Sequence, residues 1–236
     1  MEEKLDKNGE PMEEKLDKEG KPKRRRWPIV LGVIAVVFLA AGVGFTQWHA
    51  QPSFCGAICH TPMDPYVATY NQTPGATGLD RFNQEIANTN GMMAVVHKEV
   101  EVDCLGCHSP TIGEQVSEGM KWITGNYSIP LKQYKLNELV VARGLSSGDA
   151  FCLNEICHHL ADDGSTITSR EELITATSHL SRNVHLGQHG TNQCDTCHKS
   201  HSASTVLCTQ CHLDVVLPEG WLTDAQYQQQ VRNRSE

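Results

Sequence analysis

The sequence predicts a mainly α-helical chain with long loops: one N-terminal transmembrane helix followed by an exported domain with little or no sheet. Three observations predict this. An uncharged apolar run lies near the N-terminus, large aliphatic residues are scarce after it, and ten cysteines form five pairs that each end in Cys-His.

The first 26 residues carry a repeat, "EEKLDK" at Glu2–Lys7 and again at Glu13–Lys18, each copy followed by Gly and Pro. Mixed charge with few apolar residues predicts a disordered cytoplasmic tail. Residues 27–48, "WPIVLGVIAVVFLAAGVGFTQW", contain no charge. At 1.5 Å per residue, about 20 such residues cross a hydrocarbon core. Tryptophans at both ends suit the interfacial belts, and Lys21, Lys23, Arg24, Arg25 and Arg26 precede the run. The positive-inside rule then keeps the tail in the cytoplasm of a bacterium and places residues 49–236 outside the cell membrane. A cleaved signal peptide shares the basic-then-apolar pattern, but this run is long for one and "GFTQWHAQ" offers no small-x-small cleavage site. A retained single-pass anchor in the lipid bilayer is the reading.

With that helix removed, the remainder is rich in Gly, Ser, Thr, Asn and Gln and has little apolar area to bury. Something other than side chains must fill its centre. After Arg26 there are 20 acidic against 11 basic residues, so nucleic acid is excluded as a partner.

The cysteine pairs read "CGAICH" (Cys55, Cys59, His60), "CLGCH" (Cys104, Cys107, His108), "CLNEICH" (Cys152, Cys157, His158), "CDTCH" (Cys194, Cys197, His198) and "CTQCH" (Cys208, Cys211, His212). Twelve histidines placed at random would occupy all five positions with a probability on the order of 10⁻⁷. C-x-x-C-H is the attachment signature of c-type haem: two thiols add to the porphyrin vinyl groups and the adjacent His reaches the iron. Five covalently attached haems c are therefore expected, two of them on widened motifs. A disulfide framework has no use for the histidines. A zinc ribbon built from "CDTCH" and "CTQCH" leaves the other pairs unexplained, and a redox thiol pair would occur once.

Three helices are expected among the loops. "PLKQYKLNELVVARG" starts at Pro130 and stops at Gly144. "SREELITATSHL" opens on a Ser169/Glu172 capping box and runs towards His185. "TDAQYQQQVRNR" opens on a Thr223/Gln226 box.

Seven histidines lie outside the motifs: His49, His97, His159, His179, His185, His189 and His201. Electron-carrying haems commonly take a second axial ligand, and neutral imidazole serves. The order of the elements resembles the tetrahaem domains of flavocytochrome c fumarate reductases: a His before the first motif, a His pair before the third and a His three residues after it. That resemblance implies His97, His185, His189 and His201 as distal ligands to the haems of His108, His158, His198 and His212, without saying which serves which. His179 competes with His185. His159 follows a motif His and points away from that iron, and His49 belongs at headgroup level.

The first haem differs. "CGAICHTPMDPY" carries Met63 three residues after His60, and a thioether is an established iron ligand. The membrane-anchored cytochromes of the NapC/NirT/NrfH type also place a Met just after their first Cys-His, and the resemblance covers most of the chain: short tail, one helix, first haem beside the membrane, then "CLGCHSP" and "CDTCHKSH". The chain departs from that family in the position of Met63, the three-residue spacing of the first motif and the fifth motif. The resemblance implies a haem-cored multihaem cytochrome c domain, with a first haem unit over about 50–103 and a four-haem unit over about 97–215.

Function follows as an expectation. The chain takes electrons from membrane quinol (menaquinol or similar) and relays them to an extracytoplasmic reductase, a flavoprotein by the flavocytochrome resemblance. No Rossmann-type glycine fingerprint occurs, so the flavin belongs to a separate subunit. Quinol oxidation releases protons and needs a base; Asp64, Glu99 and Lys121 are the candidates by position. A multihaem reductase with one open iron, acting on a small substrate such as nitrite, is the alternative, and a relay that never touches quinol is a third.

Overall fold

The computed structural model describes residues 26–58, 60–129, 134–158 and 165–234. The repeated tail up to Arg25, Cys59, Pro130–Gln133 and His159 lie outside them. The chain divides into two compact units, Met1–Gln47 and Trp48–Glu236.

In the first unit, α1 (Trp27–His49) is apolar on every side, with a mean hydropathy of 2.6 and no buried residue. It is long and apolar enough to cross a membrane.

The second unit is mainly α with little sheet. In chain order it holds α2 (Pro52–Ile58), α3 (His60–Tyr70), a two-residue hairpin of β1 (Gly78–Leu79) and β2 (Glu85–Ile86), α4 (Met93–Lys98), α5 (Cys104–Cys107) and α6 (Ile112–Thr124). Then come α7 (Leu136–Ala142), α8 (Gly148–Cys152), α9 (Arg170–Ala176), α10 (Cys194–Cys197), β3 (Thr205–Val206) parallel to β4 (Leu222–Thr223), and α11 (Asp224–Asn233).

Local chemistry sets the helix ends. The expected capping boxes open α9 and α11, where Ser169 and Thr223 accept from the N–H of Glu172 and Gln226 and both reach back. A third box, Thr111/Glu114, opens α6, which ends on Gly125 at φ 69°. Two expectations shorten. The helix sought from Pro130 begins at Leu136, where Glu138 turns back to the Lys135 N–H. α9 stops at Ala176 because Thr177 and Asn183 bond into its last carbonyls and fold the chain back towards His185.

Among the described residues, buried apolar side chains gather in two small clusters: Ile86, Met92, Val95 and Ala203 with Leu222, and Leu136, Val140 and Phe151 with Leu139, Cys152 and Cys194. Polar stitching holds distant segments together. Met93 and Ala94 donate to the carbonyls of Lys199 and Ser200, and Arg81 to that of His201. At one crossing two glycines meet: a Cβ on Gly91 would stand 2.0 Å from the Gly220 carbonyl oxygen, so neither strand tolerates a side chain there.

The C-terminal helix is tied back by a buried ion pair. Asp80, fully buried, accepts from the N–H groups of Phe82 and Gln84 and from Arg234 Nη2 at 3.0 Å, while the Arg234 guanidinium lies 4.0 Å over the Phe82 ring. Removing one partner of a buried pair leaves the other charge uncompensated. Arg234→Ala should therefore cost about 3 kcal/mol, the low end of the range because Asp80 keeps two backbone donors. Chemical denaturation of the intact protein, followed by far-ultraviolet circular dichroism, measures it.

Candidate haem centres

The three C-x-x-C-H motifs fold alike. In α5, Asp103 caps the turn by accepting from Gly106 N at 2.9 Å, and the His108 N–H returns to the Cys104 carbonyl at 2.8 Å. In α10 the His198 N–H bonds the Cys194 carbonyl at 3.0 Å, and after the 3₁₀ turn Leu207–Gln210 the His212 N–H bonds that of Cys208 at 2.9 Å. A single helical turn sets two cysteines three residues apart on one face. The His then leaves in extended backbone at its end, as His108 and His198 do.

The widened motif at Cys152 reproduces this turn by another route. There the His158 N–H reaches the Asn154 carbonyl at 3.4 Å, and the Asn154 side chain accepts from Ile156 and Cys157. Asn154 stands where the first cysteine stands elsewhere, and Cys152 is moved back to the end of α8. In the first motif Cys55 lies in α2 and His60 begins α3. None of the described cysteines is in a disulfide.

The thiols of successive motifs neighbour one another. Cys55 and Cys104 interact electrostatically, Cys107 feels both Cys152 and Cys157, Cys152 and Cys194 interact likewise and pack against one apolar cluster, and Cys197 feels Cys208. The motifs are thus strung in sequence order.

The histidines meet in twos, each pair joining a motif His to one from outside. Ring centres lie 6.3 Å apart for His97 and His158, 6.5 Å for His185 and His198, and 6.2 Å for His189 and His212. His201 lies within electrostatic reach of His108. A metal–imidazole bond of about 2 Å, with the ring centre about 1.2 Å behind the bonding nitrogen, puts two imidazoles on one iron about 6.4 Å apart centre to centre. The residues fit haem iron. Among the described residues no three His, Cys, Asp or Glu side chains converge as they would on a zinc ion.

Hydrogen bonds aim three of these rings. His97 Nδ1 donates to the Met93 carbonyl at 2.8 Å. Thr69 gives its own proton to the Tyr66 carbonyl, so it accepts from His201 Nδ1 at 2.7 Å. Thr177 donates to the Leu173 carbonyl and accepts from His185 Nδ1 at 3.1 Å. In each, the proton sits on Nδ1 and the Nε2 lone pair is left for a metal. Burial keeps the rings neutral: desolvation lowers His201 to about 3 and His198 to about 4, and lowers His108 and His185 as well. Tyr66 packs edge-on against His201 at 5.1 Å, and Trp221 against His198 at 4.8 Å. No spacing rule pointed to Thr69, Thr177 or Trp221; they act through tertiary contact.

One relative decides the family. The chain is 53% identical over 204 residues, 86% of its own length and 90% of the relative's, to the cytochrome c-type protein Cgr1 of Eggerthella lenta. The chain is a c-type cytochrome. It binds haem c covalently and belongs to the electron-transfer cytochromes. No family model matches it, and no solved structure does.

Other expected site residues are placed less closely in this cytochrome. His185, and not the exposed His179, faces His198; His179 Nδ1 instead bonds the Ala176 carbonyl. Met63 is half-buried in α3. Asp64 on α3, Glu99 at the end of α4 and Lys121 on α6 are all exposed, and no hydrogen bond or ion pair joins them to one another.

Thr69 gives the sharpest test of the aimed rings. Thr69→Val keeps the shape but strands a buried N–H, costing about 1–3 kcal/mol. It also makes the His201 imidazole a weaker electron donor, so one haem midpoint should move to a more positive potential in a spectroelectrochemical titration.

Proposed function

We propose that the protein is a membrane-anchored pentahaem cytochrome c that draws electrons from membrane quinol and passes them to an extracytoplasmic terminal reductase, a separate flavoprotein. One observation carries this reading: four motif histidines each have a different non-motif histidine as neighbour, three of them at the spacing of two imidazoles on one iron. Bound haem supplies a one-electron carrier, and its axial ligands and surroundings set its potential.

The residues divide as follows. Cys55/Cys59, Cys104/Cys107, Cys152/Cys157, Cys194/Cys197 and Cys208/Cys211 hold the five groups. As iron ligands, His108 would pair with His201, His158 with His97, His198 with His185 and His212 with His189. The chain of neighbouring thiols supports a conduit that runs in sequence order, from the motif nearest the apolar helix to the one nearest the C-terminus. α1 supports a membrane anchor whose exit is followed directly by the first motif, where a lipid-soluble donor would arrive. Asp64, Glu99 and Lys121 stay as candidate proton acceptors on accessible surface.

The first centre favours a second reading. His60 and Met63 are three residues apart on one continuous helix. The four histidine pairs assign no partner to the first centre, so the side of its iron away from the motif His would be open unless Met63 filled it. An iron open on that side would make the chain a reductase for a small substrate such as nitrite.

Four measurements on the detergent-solubilised holoprotein separate these readings. A pyridine haemochrome count with intact mass should give five haems; three would reject the widened motifs. A menaquinol analogue should reduce the protein, and failure to do so would leave a relay fed by another carrier. Carbon monoxide should bind at most one ferrous haem, and Met63→Ala should alter the absorption of that haem alone. Turnover of nitrite by the isolated protein would favour the reductase.

A further inference from the structure

The haem of the second motif has a permanent positive charge built against it. Arg143 follows α7, and its guanidinium is held by three acceptors of that motif: Nε donates to Ser109 Oγ at 3.1 Å, and Nη2 donates to the carbonyls of Leu105, at 3.1 Å, and of Gly106. Its far face lies 4.9 Å from the centre of the Phe151 ring, the residue before Cys152. The cation therefore sits between the second and third motifs, and its charge reaches Cys107 and His108. Arginine keeps its proton at any working pH.

One other charged group lies on this turn. Asp103 also acts on Cys107, but its carboxylate is engaged at the opposite, N–H end, capping Gly106 N. No carboxylate is bonded to Arg143 among the described residues. The guanidinium is half-buried, so water and salt screen it only in part.

We propose that Arg143 is a positioning residue that holds a fixed cation beside the haem of Cys104, Cys107 and His108 and raises that haem's reduction potential. The inference rests on that motif carrying a c-type haem. When ferric iron takes one electron from a reductant, the centre loses one positive charge, and a neighbouring cation favours the form with less positive charge. The same three bonds would also staple α7 to the motif, so the readout has to be a potential rather than an activity.

The test is a spectroelectrochemical titration of the full-length holoprotein, with haem content measured on the same samples. Arg143→Gln removes the charge and keeps a donor: one midpoint should shift to a more negative potential while the others hold. Arg143→Lys keeps the charge without the fork and should leave that midpoint close to wild type. Full haem content with every midpoint unchanged in R143Q would overturn the proposal, and so would equal shifts in R143Q and R143K, which mark a structural staple. Should R143Q fail to take up its haems, Arg143→His carries the same test: its midpoint should fall as rising pH discharges the imidazole, and a wild-type pH profile would overturn the idea. A wild-type protein lacking haem on Cys104 and Cys107 would instead remove the reading on which the inference rests.

Discussion

An imidazole holds iron only when it is neutral and when its lone pair points at the metal. Both conditions are met here by the protein before any metal chemistry is invoked. Burial disfavours the charged ring, most strongly at His201 and His198. A bond at the far nitrogen fixes the proton on Nδ1, through the Met93 carbonyl for His97, Thr69 for His201 and Thr177 for His185. The rest of the fold serves these two conditions. The residues that aim the rings sit in short helices or their ends, α4 is tied to the loop after His198 by backbone bonds, and one of the two small apolar clusters takes in Cys152 and Cys194.

Legibility in the sequence divides along the range of the interaction. The Cys-His turns are local, closed by bonds within four residues, and the spacing alone announces them. Capping boxes are equally local, and Ser169/Glu172 and Thr223/Gln226 form as the sequence implies. The apolar run from Trp27 is legible because no polar residue interrupts it. Which histidine faces which motif is another matter. His97 meets His158 and His201 neighbours His108 because residues 91–94 and 199–204 are joined by backbone bonds. No periodicity encodes that join. The same holds for the choice of His185 over His179, which follows from Thr177 and Asn183 turning the chain back after α9.

Electrostatics adds a second layer. The chain after Arg26 carries an acidic excess, yet the motifs themselves hold selected cations close. Arg143 grips the second motif, and Lys199 follows His198 and acts on it. The salt bridge of Arg170 to Asp149 stands beside Cys194. Because each additional electron lowers the charge of a centre by one, a cation fixed at one motif and a carboxylate fixed at another set their potentials apart with the same ligands. Ligand identity then cannot by itself rank the centres of this cytochrome; the charges clasped against each turn must enter as well.

The widened motif shows how much of the attachment signature is physical necessity. What the three compact motifs share is a turn closed by a bond from the His N–H to the carbonyl of the first cysteine, which delivers a His immediately after the second. Asn154 closes that turn at Cys157 with its own carbonyl and side chain, so the first cysteine is released from the task of starting it. Cys152 is positioned instead by α8, whose Phe151 is buried against Leu136 and Val140, and it packs with Cys194 against the same cluster. Two separately held thiols replace two thiols on one turn. The spacing between the cysteines is therefore free to grow wherever a second element fixes the first of them, while the Cys-His step at the other end is not.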